Sequence, residues 1–311
     1  MNESMVPAIE FRRVTKLFGA VRAVSDLEFV APTGSVTVLL GPNGAGKTTT
    51  VRLTTGALTA DAGTVRVLGL DPSDDEQGQE IRSRCGVVPP KPAFYDQLTG
   101  WENLEFAAEI FEAEPEDARD AAARFGIDHA LDQEVGGYST GMRTRLALAR
   151  SVIHDPDVLL LDEPTAGLDP ESSRAVLDLI RDLAGRGRTI VMCTHLLHEA
   201  EGIADQVVLM DDGTARAAGH PDELAAAYMP EPIVVFDAED RSVLELLADL
   251  DGVTSIHRNG SVQVTLDDLA RLPDMVTMLV GAGARLTRVE RVIPTLEELY
   301  FRMQRAHKDQ P

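Results

Sequence analysis

The 311-residue chain carries 51 acidic against 29 basic side chains, a net charge of −22, and 44% of its residues are hydrophobic. That balance speaks against a nucleic-acid partner, whose phosphates demand Lys and Arg, while the apolar share is ample for one large domain or two. No apolar run approaches the ~18 residues of a membrane span, and Met1–Ile9 lacks a secretory pattern; a soluble protein is expected, with any membrane role supplied by a partner.

Two cysteines, Cys85 and Cys193, sit in apolar, strand-like settings and read as free thiols of a reducing cytoplasm. Only Lys16, Lys47, Lys91 and Lys308 supply lysine. An acidic, Lys-poor surface suits a high-salt cytoplasm, where short screening lengths silence self-repulsion. It equally suits a genome whose base composition favours Arg, Ala, Gly and Asp codons.

Along the chain, Ile9–Thr15, Val21–Val30 and Ser35–Leu40 read as strands, parted by Phe18-Gly19 and Pro32-Thr33-Gly34 turns. Residues 41–48, Gly-Pro-Asn-Gly-Ala-Gly-Lys-Thr, then fill the G-x-x-x-x-G-K-[ST] pattern without a mismatch, ahead of a helix over Thr48–Gly56. The stretch Gly41, Pro42, Asn43, Gly44, Ala45, Gly46, Lys47, Thr48 and Thr49 is therefore expected to hold a nucleoside triphosphate. Its glycines free the backbone to aim N–H groups at phosphate oxygens, and the helix N-terminus adds partial positive charge. Lys47 would bridge the outer phosphates and the Thr48 hydroxyl would ligate Mg²⁺.

A strand over Thr64–Leu68 follows, and Cys85-Gly-Val-Val-Pro89 leads into a helical region. There Thr99-Gly-Trp-Glu102 forms a capping box before the stripe Leu104, Phe106, Ala107 and Phe111, with a second helix over Glu112–Arg124 and a third over Arg143–His154. Strands return at Val158–Leu161, Thr189–Cys193 and Gln206–Met210, with a helix over Pro170–Ala184 between the first two and an Asp212-Gly213 hairpin turn after the last. This alternation predicts a mainly parallel α/β sheet. Val158-Leu-Leu-Leu-Asp162-Glu163 ends a buried strand in two carboxylates, about 114 residues after the phosphate loop. Adjacent strand-end residues point different ways, so one acid can face a metal and the other a water.

Proline-flanked Tyr228–Pro232 reads as a boundary, and the pattern restarts beyond it. A strand over Ile233–Phe236, a helix over Ser242–Leu250, strands over Val253–His257 and Val262–Leu266, a helix over Leu269–Val280, a strand over Leu286–Val292 and a helix over Thr295–Gln304 predict a small ferredoxin-like α+β module. It offers no catalytic constellation, and His257 and His307 read as isolated polar residues.

Three further pieces, Tyr138-Ser-Thr-Gly-Met142, Thr165-Ala-Gly-Leu-Asp169 and His195 after the strand Thr189–Thr194, complete an ordered set over residues 6–225. In order and spacing the set resembles the ATP-binding cassette (ABC) ATPases. The resemblance implies a P-loop NTPase cassette over 6–229, with a RecA-like core, an antiparallel β subdomain and a helical subdomain at about 90–145, followed by an accessory module over 230–311. It implies ATP and Mg²⁺ as ligands, with Thr48 and Asp162 on the metal, Glu163 as general base or water orienter, and His195 on the γ-phosphate. Phe18 falls where the family stacks an aromatic on adenine. Ser139, Thr140, Gly141 and Met142 would close over the nucleotide of a second protomer, and Asp169 would couple the two sites.

With one phosphate loop and one signature, the chain is expected to pair with another copy or a sibling subunit, and to drive an integral membrane permease from the inner, cytoplasmic face of the membrane. The Ser-x-Gly-Met signature with Arg143, and Val292-Ile-Pro-Thr-Leu-Glu-Glu-Leu-Tyr-Phe301, resemble exporter ATPases of the ABC-2, multidrug type. Phe94, Tyr95, Leu98 and Trp101 either face the permease or pack the helices. One position departs from the family: Pro90, followed by Lys91-Pro92, stands where a Gln is expected, and proline offers no side-chain donor or acceptor. That substitution leaves open a slow or regulatory ATP-dependent clamp.

Overall fold

The computed structural model describes residues 7–228, 231–292 and 295–300. The chain divides into two units, residues 1–221 and 222–311. The boundary expected between 229 and 230 lies outside the described residues.

The first unit opens with β1 (Ile9–Phe18) and β2 (Val21–Ala31), an antiparallel pair, and continues into β3 (Val36–Leu40) and α1 (Lys47–Thr54). Next come β4 (Ala62–Val67), α2 (Asp75–Ser83) and β5 (Cys85–Val88). The helices α3 (Gly100–Phe111), α4 (Pro115–Arg124) and α5 (Thr140–Val152) follow. Then β6 (Val158–Asp162), α6 (Pro170–Gly185), β7 (Thr189–Thr194), α7 (Leu197–Glu201), β8 (Gln206–Asp211) and β9 (Thr214–Gly219) close the unit.

Two sheets result. One is antiparallel in the order β2-β1-β4; the other runs β5-β6-β7-β3-β8-β9, parallel except for the β8–β9 hairpin. Every residue of β3, β6 and β7 is buried, as expected for strands covered on both faces. In β1 and β2 the buried positions, among them Phe11, Val14, Leu27 and Phe29, point to a shared core, where Phe11 stacks on its register partner Phe29 with ring centroids 4.8 Å apart. That core is continuous with Val51 of α1 and with Leu39, Leu160, Val191 and Val208 of the larger sheet, so the two sheets share one interior. Cys85 and Cys193 are buried there as free thiols, and burial pushes Cys85 up to about 12, which leaves it protonated and inert.

The capping box of α3 is present: the Glu102 amide donates to Thr99 Oγ1 at 3.2 Å, and the Thr99 amide donates to Glu102 Oε2 at 2.7 Å. Two helix starts differ from expectation. α4 begins at Pro115 rather than Glu112, because Glu112 takes a left-handed φ of 54° to end α3. α5 begins at Thr140, capped by Ser139, three residues before Arg143.

In the second unit α8 (Pro221–Tyr228) begins at the division and runs on within it. β10 (Ile233–Ala238), a 3-10 helix over Arg241–Asp249, β11 (Val253–Asn259), β12 (Ser261–Leu266), α9 (Leu272–Gly281) and β13 (Leu286–Val292) follow in the β-helix-β-β-helix-β order of a ferredoxin-like module. Their sheet is antiparallel throughout, ordered β11-β12-β10-β13. Val234, Phe236, Leu244, Leu247, Val264, Leu266, Met275 and Leu279 fill its core. The α-helix expected over Ser242–Leu250 is instead 3-10. Leu244, Leu247 and Leu250 all pack toward the core at steps of three residues, the period of the tighter helix. Of the helix expected over Thr295–Gln304, residues 296–300 are helical and 301–304 lie outside the described residues.

Candidate functional site

The parallel strands deliver their chemistry to one edge. β7 lies between β6 and β3, and its Thr194 pairs with Leu40 while Cys193 pairs with Asp162. The loop after β3, the acids ending β6 and the histidine after β7 therefore meet at the carboxyl ends of neighbouring strands, where open α/β sheets bind ligands.

The phosphate loop is shaped by two glycines with no room for a side chain. A Cβ on Gly41 would lie 2.2 Å from the Met210 carbonyl oxygen, and one on Gly46 would lie 2.5 Å from that of Ala23. Gly46 also takes a φ of 96° as the N-cap of α1, a conformation closed to most residues. Pro42, Asn43 and Gly44 are exposed, Ala45 and Lys47 are buried, and Thr48 and Thr49 are half-buried on the first turn of the helix.

Lys47 is the hub. Its Nζ donates to the carbonyls of Gly41 at 2.6 Å and Pro42 at 3.2 Å, and stands 3.4 Å from Glu163 Oε1. The other Glu163 oxygen, Oε2, lies 2.8 Å from His195 Nδ1. Lys47, Glu163 and His195 thus form one continuous chain of contacts. Glu163 reaches it on a left-handed backbone, φ 53°, held by its amide donating to the Cys193 carbonyl at 2.9 Å. Such a backbone costs on the order of 1–3 kcal/mol in a non-glycine residue and persists only when its surroundings impose it.

Asp162, beside it, is buried, and burial pushes its carboxyl above the usual range; the neighbouring Thr48 hydroxyl and the Lys47 charge offset part of that shift. Both Asp162 oxygens are buried and neither has a well-formed hydrogen bond, with the Thr48 hydroxyl the neighbour that favours the charged form. Unmet buried carboxylate oxygens next to a hydroxyl are the donor set a hard divalent cation prefers, and the residues present fit Mg²⁺.

The remaining expected residues lie as follows. Phe18 ends β1, is 46% exposed, and has Lys16 Nζ 5.7 Å from its ring centroid. Ser139 caps α5 by accepting from the Met142 amide at 3.2 Å, so Ser139, Thr140, Gly141 and Met142 form an accessible helix N-terminus. Gly141 lies against Leu168 and Ser172. Asp169 caps α6, accepting from the amides of Glu171 and Ser172 at 3.0 Å each, and the Ser172 hydroxyl first, with these amides, holds its carboxyl below the ordinary range.

Pro90 is exposed and lines a groove of about 1220 Å³ whose walls include Thr48, Asp162, Phe94, Tyr95 and Phe106. Arg150 lies 4.5 Å from the Phe94 ring, Arg119 lies 4.0 Å from Trp101, and Tyr95 meets Phe106 edge-on. Aromatic residues of the helical region make these contacts, while Tyr95 and Phe106 stay exposed. Lys91 is exposed on the same loop. Glu199, buried on α7 and hydrogen-bonded to Thr165 and Thr194, is not among the expected site residues; a lone Glu in a short helix carries no pattern that marks it.

A family model described as ABC transporter matches residues 24–166. The chain is 36% identical over 277 residues to a daunorubicin/doxorubicin resistance ATP-binding protein of Streptomyces peucetius, covering 86% of this chain and 83% of that protein. It is 38% identical over 266 residues to a fluoroquinolones export ATP-binding protein of Mycobacterium tuberculosis, covering 83% of this chain and 88% of that protein. A solved ATP-binding subunit of an ABC transporter superposes with a TM-score of 0.65 at 25% identity, over 71% of this chain and 93% of the other.

Proposed function

The chain belongs to the ABC transporter family as an ATP-binding, ATP-hydrolysing subunit, and we propose that it works as one half of a head-to-tail pair driving an export permease. The export direction is supported by the names of its relatives, which include drug-resistance and export ATP-binding proteins. No described helix is long and apolar enough to cross a membrane. Attachment to the inner face of the membrane is accordingly assigned to the permease.

The observation that carries the mechanism is the chain of contacts Lys47–Glu163–His195 laid across the phosphate loop. Lys47 and the loop amides hold the outer phosphates, and Phe18 stacks on the base. Thr48 and Asp162 hold Mg²⁺, which when bound neutralises charge on the phosphoryl oxygens. Glu163 accepts a proton from, or orients, the attacking water, and His195 fixes Glu163 while reaching the terminal phosphate. Ser139–Met142 presents a helix N-terminus to the partner protomer's nucleotide, and Asp169 at the head of α6 links that contact to the paired acids.

The test is Glu163→Gln. It should retain ATP, lose about 10²–10⁴-fold in turnover, and give an ATP-dependent dimer by light scattering. A parent protein without ATP turnover, or a variant that remains monomeric with ATP and Mg²⁺, would sink this reading.

A further inference from the structure

Glu199 stands on α7, four residues beyond His195, and is only 1% exposed. Its Oε2 accepts two hydrogen bonds, from Thr165 Oγ1 at 2.8 Å and from Thr194 Oγ1 at 3.0 Å. Its Oε1 is equally buried and has no partner. The two threonines bracket the reacting pair: Thr165 follows Glu163 by two residues, and Thr194 directly precedes His195. Thr194 Oγ1 also accepts from the Leu196 amide at 3.1 Å, so the turn carrying His195 is closed on both sides.

One carboxylate oxygen thus joins the loop after β6 to the last residue of β7. Both hydroxyls are buried, Thr165 at 3% and Thr194 at 0% exposure, so neither can exchange Glu199 for water. Removing the shared acceptor would leave two buried donors unmet at once, which makes the junction stiff. Glu163 needs such support, since its left-handed backbone is held from outside.

We propose that Glu199 is a positioning residue for ATP hydrolysis, fixing the Glu163–His195 pair by tying Thr165 to Thr194. The inference rests on the reading of Glu163 and His195 given above. Glu199 acts only through the threonines and touches no substrate. Its removal loosens the angle between general base and imidazole while the phosphate loop, built from Gly41–Thr48 on another strand, keeps its shape. The effect therefore falls on kcat and spares KM. Glutamine in its place keeps an oxygen for both hydroxyls and puts its amide nitrogen where Oε1 has no partner.

The experiment uses full-length protein labelled with ¹⁵N-histidine, as parent, Glu199→Ala and Glu199→Gln, with His195→Ala to assign the resonance. Without nucleotide, Glu199→Ala should move the His195 ring-nitrogen resonance and Glu199→Gln should leave it near the parent position. With ATP and Mg²⁺, Glu199→Ala should lower kcat about 10–100-fold, the range expected for misplacing a catalytic group by an ångström. KM for ATP should stay within about two-fold, and Glu199→Gln should recover most of the lost turnover. An unmoved resonance overturns the proposal, as does undiminished kcat in a parent that turns over. A parent without turnover defeats the catalytic reading instead, and the resonance still decides the role of Glu199. If Glu199→Ala does not fold, Thr165→Val and Thr194→Val each remove one donor and are judged by the same resonance.

Discussion

Asp162 sits at the end of β6 with its carboxyl pushed upward, first by burial and next by the charge of Glu163. An acid whose folded pKa is raised binds its proton more tightly folded than unfolded. Its contribution therefore favours the fold at low pH and is lost as pH rises from the ordinary value of 3.8 through the folded one. At neutral pH the charged form is a cost carried by the protein without metal. Asp162→Asn should then raise the melting temperature of metal-free protein at pH 7.5, by about 2–4 °C for each kcal/mol relieved. The same variant should lose Mg²⁺-dependent turnover, an exchange of activity for stability. A melting temperature at or below the parent's by calorimetry would contradict this account of the carboxyl.

At the scale of elements, the segment after β5 invites a test. Position 90 lines the same groove as Thr48 and Asp162, and the chain just beyond it is pinned: Arg150 donates to the Ala93 carbonyl at 2.7 Å, and the Tyr95 amide donates to Asn103 at 2.9 Å. A glutamine at 90 would open onto the groove that Thr48 and Asp162 also line. On the proposed roles, in which the loop amides and Lys47 carry binding, Pro90→Gln is expected to raise basal turnover, with each ~1.4 kcal/mol off the barrier giving about tenfold, and to leave ATP affinity nearly unchanged. Turnover at or below the parent's, in a folded variant, would mean that Pro89 and Pro92 have re-aimed the loop. Elements of the first unit are legible in the sequence where one rule dominates: the capping box at Thr99, the hairpin at Asp212-Gly213, the Val- and Leu-rich runs of β3 and β6. α2 is not, because only Gly78 and Ile81 of its nine residues are buried and so small an apolar stripe leaves no period to read. The 3-10 helix reads in the sequence as an α-helix because a three-residue spacing of leucines also fits one face of an α-helix. At the site, the phosphate loop and the paired acids follow local pattern, whereas the Glu199 junction joins Thr165 and Thr194 through space and has no local trace.

For the whole molecule, the second unit carries its own core and a complete antiparallel sheet. We expect truncation after Met229 to leave a protein that folds and binds ATP with unaltered affinity, the module serving assembly or regulation. Calorimetric titration that finds a folded but non-binding truncation would refute the division. The strand order of the larger sheet has a consequence for how the protein is made. β3 pairs only with β7 and β8, whose first residues are Thr189 and Gln206. Its apolar run, Val36–Leu40, thus leaves the ribosome about 150 residues ahead of its first neighbour. At synthesis rates of ~5–20 residues per second that is roughly 8–30 s with a sticky central strand unpaired. The antiparallel sheet needs only residues 9–67 and can assemble early, covering that strand's flank while the rest of the sheet is still being translated. Chaperone demand should therefore peak in mid-synthesis and fall once β7 has emerged.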